Sequence, residues 1–485
     1  MSQPLFAQSA ADLARRLRAR EVSATEVAEA HLDRVSATDP QVGAFLTMPR
    51  DEVMADAAAA QAMLDRGEGG PLCGVPVGIK DNISTRGVAT TCASKLLENY
   101  VPPFDATVIE KLRAQGIVCF GKTNLDEFAM GTSCENSAFQ LTRNPWDLDR
   151  TPGGSSGGSA ACVAAQQVPL SLGSDTGGSI RLPAALCGLV GFKPTYGRVS
   201  RYGLIAFGSS LDQIGPFGRT VEDVALLSEA ISGYDHLDST SLDRHPIQTN
   251  ALKSGSLRGL KLAIPDQLMT DEIQPGVRAT FESALDLLRK EGVEITPVSL
   301  PSIQYGVTTY YIIAPAEASS NLARFDGIRY GLRLEGEGHI GNVATTRGEG
   351  FGHEVKARIM IGTYVLSAGY YDAYYTRAQQ VRALMVQEFE STYRDFDAVI
   401  SPTSPSVAFR LGELKDNPMA MKLLDFCTIP ANMGGFPSIS IPAGLSDHLP
   451  VGLQLTGPIG DDERILQLAY ALEQALPPTP SPAMG

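Results

Sequence analysis

The chain has 485 residues, 43% of them hydrophobic and 19% charged, which excludes global disorder and allows a large buried core. Its formal net charge of −14 argues against a protein that binds nucleic-acid phosphates by itself. The seven cysteines include no C-x-x-C pair, so we expect free thiols in a reducing compartment and no structural zinc. No apolar stretch is typical of a secretion signal or a membrane span, so we expect a cytoplasmic protein, or an organelle stroma or matrix protein in a eukaryote.

The predicted elements up to residue 150 alternate between helices and strands. Apolar spacing predicts helices over residues 9–20, 23–35, 51–66 and 106–115. Short apolar runs predict strands over 75–79 and 117–120. Asp126 and Glu127 follow as adjacent carboxylates, which would point to different faces of a helix. We therefore interpret them as solvated or structural residues and not as an acid–base pair.

Two clusters rich in glycine and serine, at 151–159 and 173–181, characterise the next part of the chain. Glycine allows the backbone to approach a ligand closely, and a serine there can present its hydroxyl. The consecutive N–H groups from Thr176 to Ser179 could also bind an oxyanion. Taken alone, such a run is typical of a flexible linker. Because an apolar helix and strand pattern fills 160–172 between the clusters, we favour a site within a folded core.

A serine hydroxyl is a weak nucleophile and needs a base to remove its proton. None of the six histidines lies close in sequence to either cluster. Lys80, in contrast, directly follows the apolar strand predicted over 75–79. Burial there would lower the pKa of its amine through loss of hydration, and the neutral amine could act as a base. The alternative is a surface lysine paired with Asp81.

The second half of the chain continues the alternation. Strands are predicted over 189–192, 199–201, 204–207, 260–264, 293–298 and 398–401. Helices are predicted over 220–232, 275–290, 307–322, 355–367, 370–394 and 461–475. Three further segments are predicted to close the sheet, at 425–432, 438–442 and 451–456. Asp212 and Arg219 flank a Gly-Pro-Phe-Gly segment, where we expect a buried ion pair.

The order of these elements predicts the fold class. Between residues 260 and 298 a strand, a helix and a strand follow one another, which predicts a parallel pair joined by a right-handed crossover. The alternation as a whole indicates an α/β protein. Residues 477–485 are rich in proline and are predicted to form a disordered tail.

The sequences around Lys80, Ser155 and Ser179 resemble those of the amidase signature family, whose serine hydrolases use a Ser-Ser-Lys triad. Three further segments, at 128–139, 144–147 and 191–198, are similar to the branch of that family that serves transfer-RNA-dependent amidotransferases. The resemblance covers nearly the whole chain. It implies one domain over residues 1–476, with a catalytic core at about 70–220. The implied fold is a large mixed central β-sheet covered by helices on both faces.

The resemblance also implies a role for each residue of the triad. Ser179 would be the nucleophile that forms the acyl-enzyme, Ser155 would relay its proton, and Lys80 would be the base. The family holds the serine that matches Ser155 after a cis peptide bond. The implied oxyanion hole consists of the N–H groups of Thr176, Gly177 and Gly178.

In this branch of the family the implied substrate is free L-glutamine, which is cleaved to glutamate and ammonia. Two charged residues should bind its α-amino and α-carboxylate groups. The resemblance implies that these are Arg358 and Asp425, with Tyr310 nearby. The turn of small residues formed by Gly131, Thr132 and Ser133 could line the same pocket, and the alternative is ordinary turn chemistry. Without the resemblance, Arg358 would be interpreted as a surface arginine of a helix. Cys134 stands where the family more often has threonine or serine, a departure that concerns local packing.

The resemblance further implies B and C partner subunits. The ammonia would pass to a partner that uses ATP and Mg²⁺ to amidate glutamate or aspartate carried on a mischarged transfer RNA, so this chain would hold no cofactor and no metal. Because of the −14 charge, the partner would bind most of the transfer RNA, and no membrane is involved. Two alternatives remain, a stand-alone amidase acting on small amides and a non-catalytic module that binds an anion in its glycine–serine loops.

Overall fold

A mixed β-sheet passes through the whole chain in the computed structural model, which describes residues 3–484. Within these residues the sheet has eleven strands, namely β1 Phe45–Thr47, β2 Pro76–Lys80, β3 Val118–Thr123, β4 Leu170–Asp175, β5 Val190–Lys193, β6 Gln213–Gly218, β7 Lys261–Pro265, β8 Glu294–Val298, β9 Ala398–Pro402, β10 Ser438–Ser446 and β11 Leu449–Thr456. Their order across the sheet is β1-β3-β2-β4-β6-β5-β10-β11-β9-β7-β8.

Strands β2, β3 and β4 form the part of the sheet that positions the site. Strand β2 lies between β3 and β4 and runs parallel to both. The carboxyl ends of parallel strands meet at the same edge of a sheet, which is where α/β proteins commonly bind ligands. Lys80, the last residue of β2, and Asp175, the last residue of β4, therefore reach the same edge.

Fifteen α-helices accompany the sheet within the described residues. They are α1 Ala10–Arg18, α2 Ala24–Val42, α3 Arg50–Asp65, α4 Thr107–Ala114, α5 Gly157–Ala164, α6 Arg181–Cys187, α7 Val221–Ile231, α8 Pro275–Lys290, α9 Gly306–Asn321, α10 Gly338–Gly350, α11 His353–Val365, α12 Arg377–Thr392, α13 Pro418–Leu423, α14 Ile429–Gly434 and α15 Asp462–Ala475. A π-helical turn, Asp372–Thr376, precedes α12. None of the helices described is long and apolar enough to cross a membrane.

Alternate residues of β7 show how helices cover both faces of the sheet. Leu262 and Ile264 belong to a hydrophobic cluster that includes Phe281 of α8. Ala263, between them, belongs to a second cluster that includes Ile313 of α9. Because successive side chains of a strand point to opposite faces, α8 and α9 lie on opposite sides of the sheet. The predicted single-domain α/β fold with a large mixed sheet is confirmed.

The predictions for individual elements differ in outcome. The strand–helix–strand unit of residues 260–298 is confirmed, since β7 and β8 pair in parallel and α8 connects them. The strands predicted at 199–201 and 204–207 are wrong, because the backbone turns at Gly203, whose φ is +83°. The strand predicted at 425–432 is also wrong, since this segment leads into α14, where Pro430 is compatible with a first helical turn.

The C-terminal residues lie along the surface of the first helices. Residues 477–484 form no helix or strand. Gln166 Nε2 donates to Ser481 Oγ at 3.1 Å, and Arg34 Nη2 donates to the Met484 carbonyl at 3.2 Å. These contacts differ from the disordered tail that the sequence predicts, and Gly485 lies outside the described residues.

Candidate active site

Lys80 is fully buried at the end of β2. Its Nζ donates hydrogen bonds to Ser155 Oγ at 2.8 Å, Ser156 Oγ at 2.8 Å and Ser174 Oγ at 2.9 Å. Burial removes water from the ammonium form and lowers the pKa of Lys80 to about 7. A large fraction of the amine is therefore neutral near neutral pH, as a general base requires.

Asp81 is not the partner of Lys80. It forms a buried ion pair with Lys122, in which Nζ and Oδ1 are 3.3 Å apart. The alternative of an exposed Lys80 paired with Asp81 is therefore wrong. Because three hydroxyl groups surround the Lys80 amine, it can exchange a proton with a neutral partner.

Ser155 lies in the turn before α5 and follows a cis peptide bond from Gly154. The Gly154 N–H donates to the Thr132 carbonyl at 2.8 Å, and the Asp126 N–H donates to the Ser155 carbonyl at 3.2 Å. These bonds hold the backbone on both sides of the cis bond. The structure thus brings Ser155 into direct contact with Lys80, as the sequence predicts.

Ser179 lies in the loop between β4 and α6 and is 8% exposed. The Ser156 N–H donates to the Ser179 carbonyl at 3.3 Å, which joins this loop to the turn that contains Ser155. Among the hydrogen bonds between residues 3 and 484, none connects the hydroxyls of Ser155 and Ser179. The predicted relay is therefore present as a hydrogen bond in its Lys80–Ser155 step, while Ser179 is the most exposed of the three residues.

The loop before Ser179 is fixed by side chains from distant parts of the chain. Thr176 Oγ1 donates to Asp212 Oδ1 at 2.7 Å, and Thr428 Oγ1 donates to the Gly177 carbonyl at 2.7 Å. Gly178 has a φ of +144°, and a Cβ added there would overlap Thr428 Oγ1. Within the described chain, the N–H groups of Gly177 and Gly178 donate to no other residue, so they remain available to an oxyanion.

A buried ion pair anchors the same loop to the sheet. Arg181 Nη2 and Asp175 Oδ1 are 3.0 Å apart, and both residues are fully buried. Arg181 also donates to the Thr428 carbonyl at 2.8 Å. The buried pair predicted between Asp212 and Arg219 is wrong, because the Asp212 carboxylate accepts hydrogen bonds from Thr176 and from backbone N–H groups of the loop before it.

Several predicted pocket residues meet this loop. Asp425 accepts a hydrogen bond from Thr132 Oγ1 at 3.2 Å, and its Oδ1 lies 3.3 Å from a Cβ position built on Gly178. The Tyr310 ring lies closer still to Gly177, with 2.7 Å between Cζ and a Cβ position built on that glycine. Burial raises the pKa of Asp425 to about 8.

Arg358 lies inside the protein and not on a helix surface. It belongs to α11 and is 4% exposed. Its Nε donates to Glu354 Oε1 at 2.7 Å, and its guanidinium lies over the rings of Tyr311 and Phe207, 5.2 and 5.4 Å from their centroids. Arg358 also acts electrostatically on Asp425 and lowers its pKa, against the effect of burial. The two opposite charges therefore belong to one pocket.

The sequence profile of the Amidase family matches residues 26–466 of this chain. The chain belongs to the Amidase family. The A subunit of glutamyl-tRNA(Gln) amidotransferase from Roseiflexus sp. (strain RS-1) is 54% identical to this amidase over 455 residues, which cover 94% of this chain and 93% of the relative. The protein of the same name from Symbiobacterium thermophilum is 55% identical and covers 96% of each. The crystal structure of its namesake from Thermotoga maritima has a TM-score of 0.83 at 43% identity and covers 99% of both chains.

The other predicted pocket residues of the amidase have structural contacts. Gly131 packs against the Asp126 carboxylate, which leaves no room for a Cβ. The Ser133 carbonyl accepts a hydrogen bond from Thr151 Oγ1 at 2.6 Å, and its Oγ accepts one from the Glu135 N–H at 3.4 Å. Residues 131–133 therefore form the wall between Ser155 and Asp425. In the part of the chain that the structure describes, no three or more His, Cys, Asp or Glu side chains are grouped so that they could hold a metal ion.

Asp126 and Glu127 are buried in the amidase, so the interpretation as solvated residues is wrong and the structural one is supported. Asp126 Oδ2 accepts the Cys134 N–H at 2.8 Å, and Glu127 Oε2 accepts the Gly352 N–H at 2.7 Å. Adjacent carboxylates point in different directions, as expected, but here both directions lead into the protein.

Sequence reasoning missed several residues that contact Lys80. Ser156 follows Ser155 directly, and Ser174 precedes Asp175, but neither position by itself indicates contact with a base. Asn82 Nδ2 donates to Ser174 Oγ at 2.9 Å and completes the group. The signal that could have found them is their position, since each stands within two residues of a predicted functional residue or at the end of β4.

Proposed function

We propose that this amidase hydrolyses the side-chain amide of glutamine as the glutaminase component of a transfer-RNA-dependent amidotransferase. The observation that carries the proposal is the buried Lys80 amine, which is hydrogen-bonded to Ser155 at 2.8 Å beside the loop of Ser179. Two relatives that are 54% and 55% identical over almost the whole chain, both named as the A subunit of glutamyl-tRNA(Gln) amidotransferase, support the same function.

The proposed reaction begins with attack of Ser179 Oγ on the amide carbon of the glutamine side chain. As the C–O bond forms, the Ser179 proton passes to Ser155 and the Ser155 proton passes to neutral Lys80. The carbonyl oxygen becomes an oxyanion, and the N–H groups of Thr176, Gly177 and Gly178 stabilise its charge. Its collapse breaks the C–N bond while the proton returns from Lys80 through Ser155 to the nitrogen, which leaves as ammonia. Water then cleaves the acyl-enzyme ester along the same proton route and releases glutamate.

The charged pocket residues support an amino acid as the substrate. Asp425 would bind the α-ammonium group of glutamine, and Arg358 would bind the α-carboxylate. Gly131, Thr132, Ser133 and Tyr310 would form the walls around the side chain. A simple or aryl amide has neither charged group, so it would make neither of these two contacts.

The partners follow from the fate of the ammonia. B and C subunits would receive it, and the partner would use ATP and Mg²⁺ to amidate Glu-tRNA(Gln) or Asp-tRNA(Asn). Given the net charge of −14, the partner would bind most of the transfer RNA. A cytoplasmic location remains a prediction that agrees with this role.

The first test compares Ser179→Ala with Ser391→Ala, an exposed serine at the end of α12. Glutamine hydrolysis should disappear in Ser179→Ala, persist in Ser391→Ala, and rise in the wild type when B and C subunits and charged transfer RNA are added. Wild-type turnover by Ser179→Ala would reject the serine mechanism. A non-catalytic anion-binding module would show no acyl-enzyme in any variant.

The second test distinguishes glutamine from small amides. Asp425→Asn should raise KM for glutamine by about 10- to 100-fold, because it removes a charged partner of the α-ammonium group. The same variant should leave hydrolysis of a small uncharged amide near the wild-type rate. High wild-type activity on that small amide, with little on glutamine, would instead favour the stand-alone amidase.

A further inference from the structure

Asp126 connects the two parts of the site that the proposed reaction needs. Its N–H donates to the Ser155 carbonyl at 3.2 Å, on the residue that contacts Lys80. Its carboxylate accepts the Cys134 N–H at 2.8 Å and the Asn136 N–H at 3.1 Å, in the segment that follows the pocket wall 131–133. One buried residue thus holds both the proton relay and the substrate pocket.

Two glycines pack directly against the Asp126 carboxylate. A Cβ added to Gly131 or Gly154 would overlap the Asp126 carboxylate, so both glycines are needed for its close approach. Gly154 is the residue that precedes Ser155 across the cis bond. A shift of the turn that contains Ser155 would therefore also shift the Asp126 carboxylate.

Among the groups that act on Lys80, Asp126 is an acidic residue with no ion-pair partner in the described part of the chain. Four titratable groups act on Lys80, namely Asp126, Cys134, Asp175 and Cys92. Both cysteines are buried thiols whose pKa burial raises, to about 12 for Cys134, so they are neutral. Asp175 is neutralised by Arg181 at 3.0 Å, whereas none of the ion pairs within residues 3–484 includes Asp126.

The groups that face Asp126 determine its own charge. Burial raises the pKa of its carboxyl, and the N–H groups of Cys134 and Asn136 lower it, as does Lys80. Glu135 raises it again through like charge. The N–H groups of Cys134 and Asn136 bond to the two carboxylate oxygens and offset part of the effect of burial, which remains the largest cause and leaves the pKa of Asp126 above its ordinary value.

We propose that Asp126 is a positioning residue that orients the Ser155 turn and supplies the negative charge acting on the Lys80 amine. The proposal rests on Lys80 being the base of the proposed reaction. The negative charge of Asp126 favours the ammonium form of Lys80. It therefore supports the step in which Lys80 has accepted the proton of Ser179 and must hold it until the amide nitrogen leaves. The hydrogen bonds of Asp126 fix the position of the pocket wall 131–133 relative to Ser155 and Lys80.

Asp126→Asn tests this through the pH dependence of kcat at saturating glutamine, with Asp33→Asn on the exposed face of α2 as the control. Loss of the charge should shift the acidic limb of the profile to lower pH by about one unit, because Lys80 then loses its proton more easily. Asp33→Asn should keep the wild-type limb. A limb at the wild-type pH in folded Asp126→Asn would overturn the proposal, whatever the change in kcat.

Asp126→Glu provides the second arm, because it retains the charge but lengthens the side chain. It should keep the acidic limb within about 0.3 units of the wild type while kcat falls about tenfold or more from displacement of the turn. A shift as large as one unit in Asp126→Glu would contradict the role of charge. Failure of Ser179→Ala to lose activity would reject the proposed function itself, which separates the two outcomes.

Discussion

Burial changes what a titratable side chain can do near neutral pH. The amine of Lys80 has a pKa of about 7, and the carboxyl of Asp425 has a pKa of about 8, in both cases because burial disfavours the charged form. For the base, this shift provides a neutral amine. For the pocket, it means that Asp425 would lose its proton on binding the ammonium group proposed as its partner, so binding and ionisation would be coupled.

The first prediction at this scale concerns the pH profile. The folded pKa of Lys80, about 7, lies below the value near 10.4 of an exposed lysine, so the base form is present above pH 7 and is lost as the pH falls through it. For the wild type at saturating glutamine, kcat should fall about tenfold for each pH unit below the pKa of Lys80. Steady-state ammonia release between pH 5 and 9, in buffers of about constant ionic strength, measures it. A flat profile would contradict a neutral lysine base.

Residue chemistry suggested Lys80 as a base and the glycine–serine clusters as a site, and the resemblance to the amidase signature family assigned the roles of Ser155 and Ser179. Lys80 ends an apolar strand, and Ser155 and Ser179 lie in glycine-rich segments of a recognisable kind. Ser174 and Asp126 were beyond reach, because their roles come from the tertiary contacts that place β4 and the 131–136 segment around the amine. A sequence shows which groups are present but not which of them share a buried volume.

At the scale of elements, the loop between β4 and α6 is the part that depends on long-range contacts. Asp212, Thr428 and Arg181 each bond to this loop or to its ends, from different regions of the chain. At Gly178 the loop lies so near Thr428 that an added Cβ would overlap the Thr428 hydroxyl. We infer that the backbone amides of the loop are fixed before substrate arrives, as an oxyanion hole requires.

Gly178→Ala tests the loop. A Cβ would overlap Thr428 Oγ1 and require a φ that alanine disfavours, so the amides should move and kcat/KM should fall about 100-fold or more. Gly259→Ala is the matched control, since Gly259 also has a positive φ, +78°, but has open space around it. Glutamine hydrolysis by the two purified variants measures the difference. Equal activities would show that the loop is not a fixed element.

Element prediction succeeded where apolar periodicity was strong and failed where it was weak. The unit β7–α8–β8 has clear patterns, and its boundaries were close to those observed. Helix α10, Gly338–Gly350, was missed because it contains four glycines, which have low helix propensity. Strand β1 was missed because its three residues, Phe45–Thr47, are too short for any alternation to be visible.

At the scale of the whole molecule, one sheet holds residues that are far apart in sequence. Lys80 and Asp425 are separated by most of the chain, yet strands and helices from both halves bring them to the same site. The negative charge of the molecule, −14, has a different consequence, since it opposes binding of a polyanion by this chain alone.

The isolated chain should therefore bind transfer RNA weakly. Filter binding at physiological salt should show no saturation up to about 10 μM, in the range of non-specific association. Adding B and C subunits should produce saturable binding. Saturable binding by the chain alone, with an affinity that falls steeply as salt rises, would reveal a basic surface that the net charge conceals.

Lys80→Met tests whether a buried neutral lysine activates Ser179 through Ser155. Glutamine hydrolysis should fall by about 10³-fold or more, with Tm within a few degrees of the wild type because methionine is a long apolar replacement for a buried lysine. Lys290→Met, at an exposed position at the end of α8, should retain full activity. Wild-type glutamine hydrolysis by folded Lys80→Met would contradict the account.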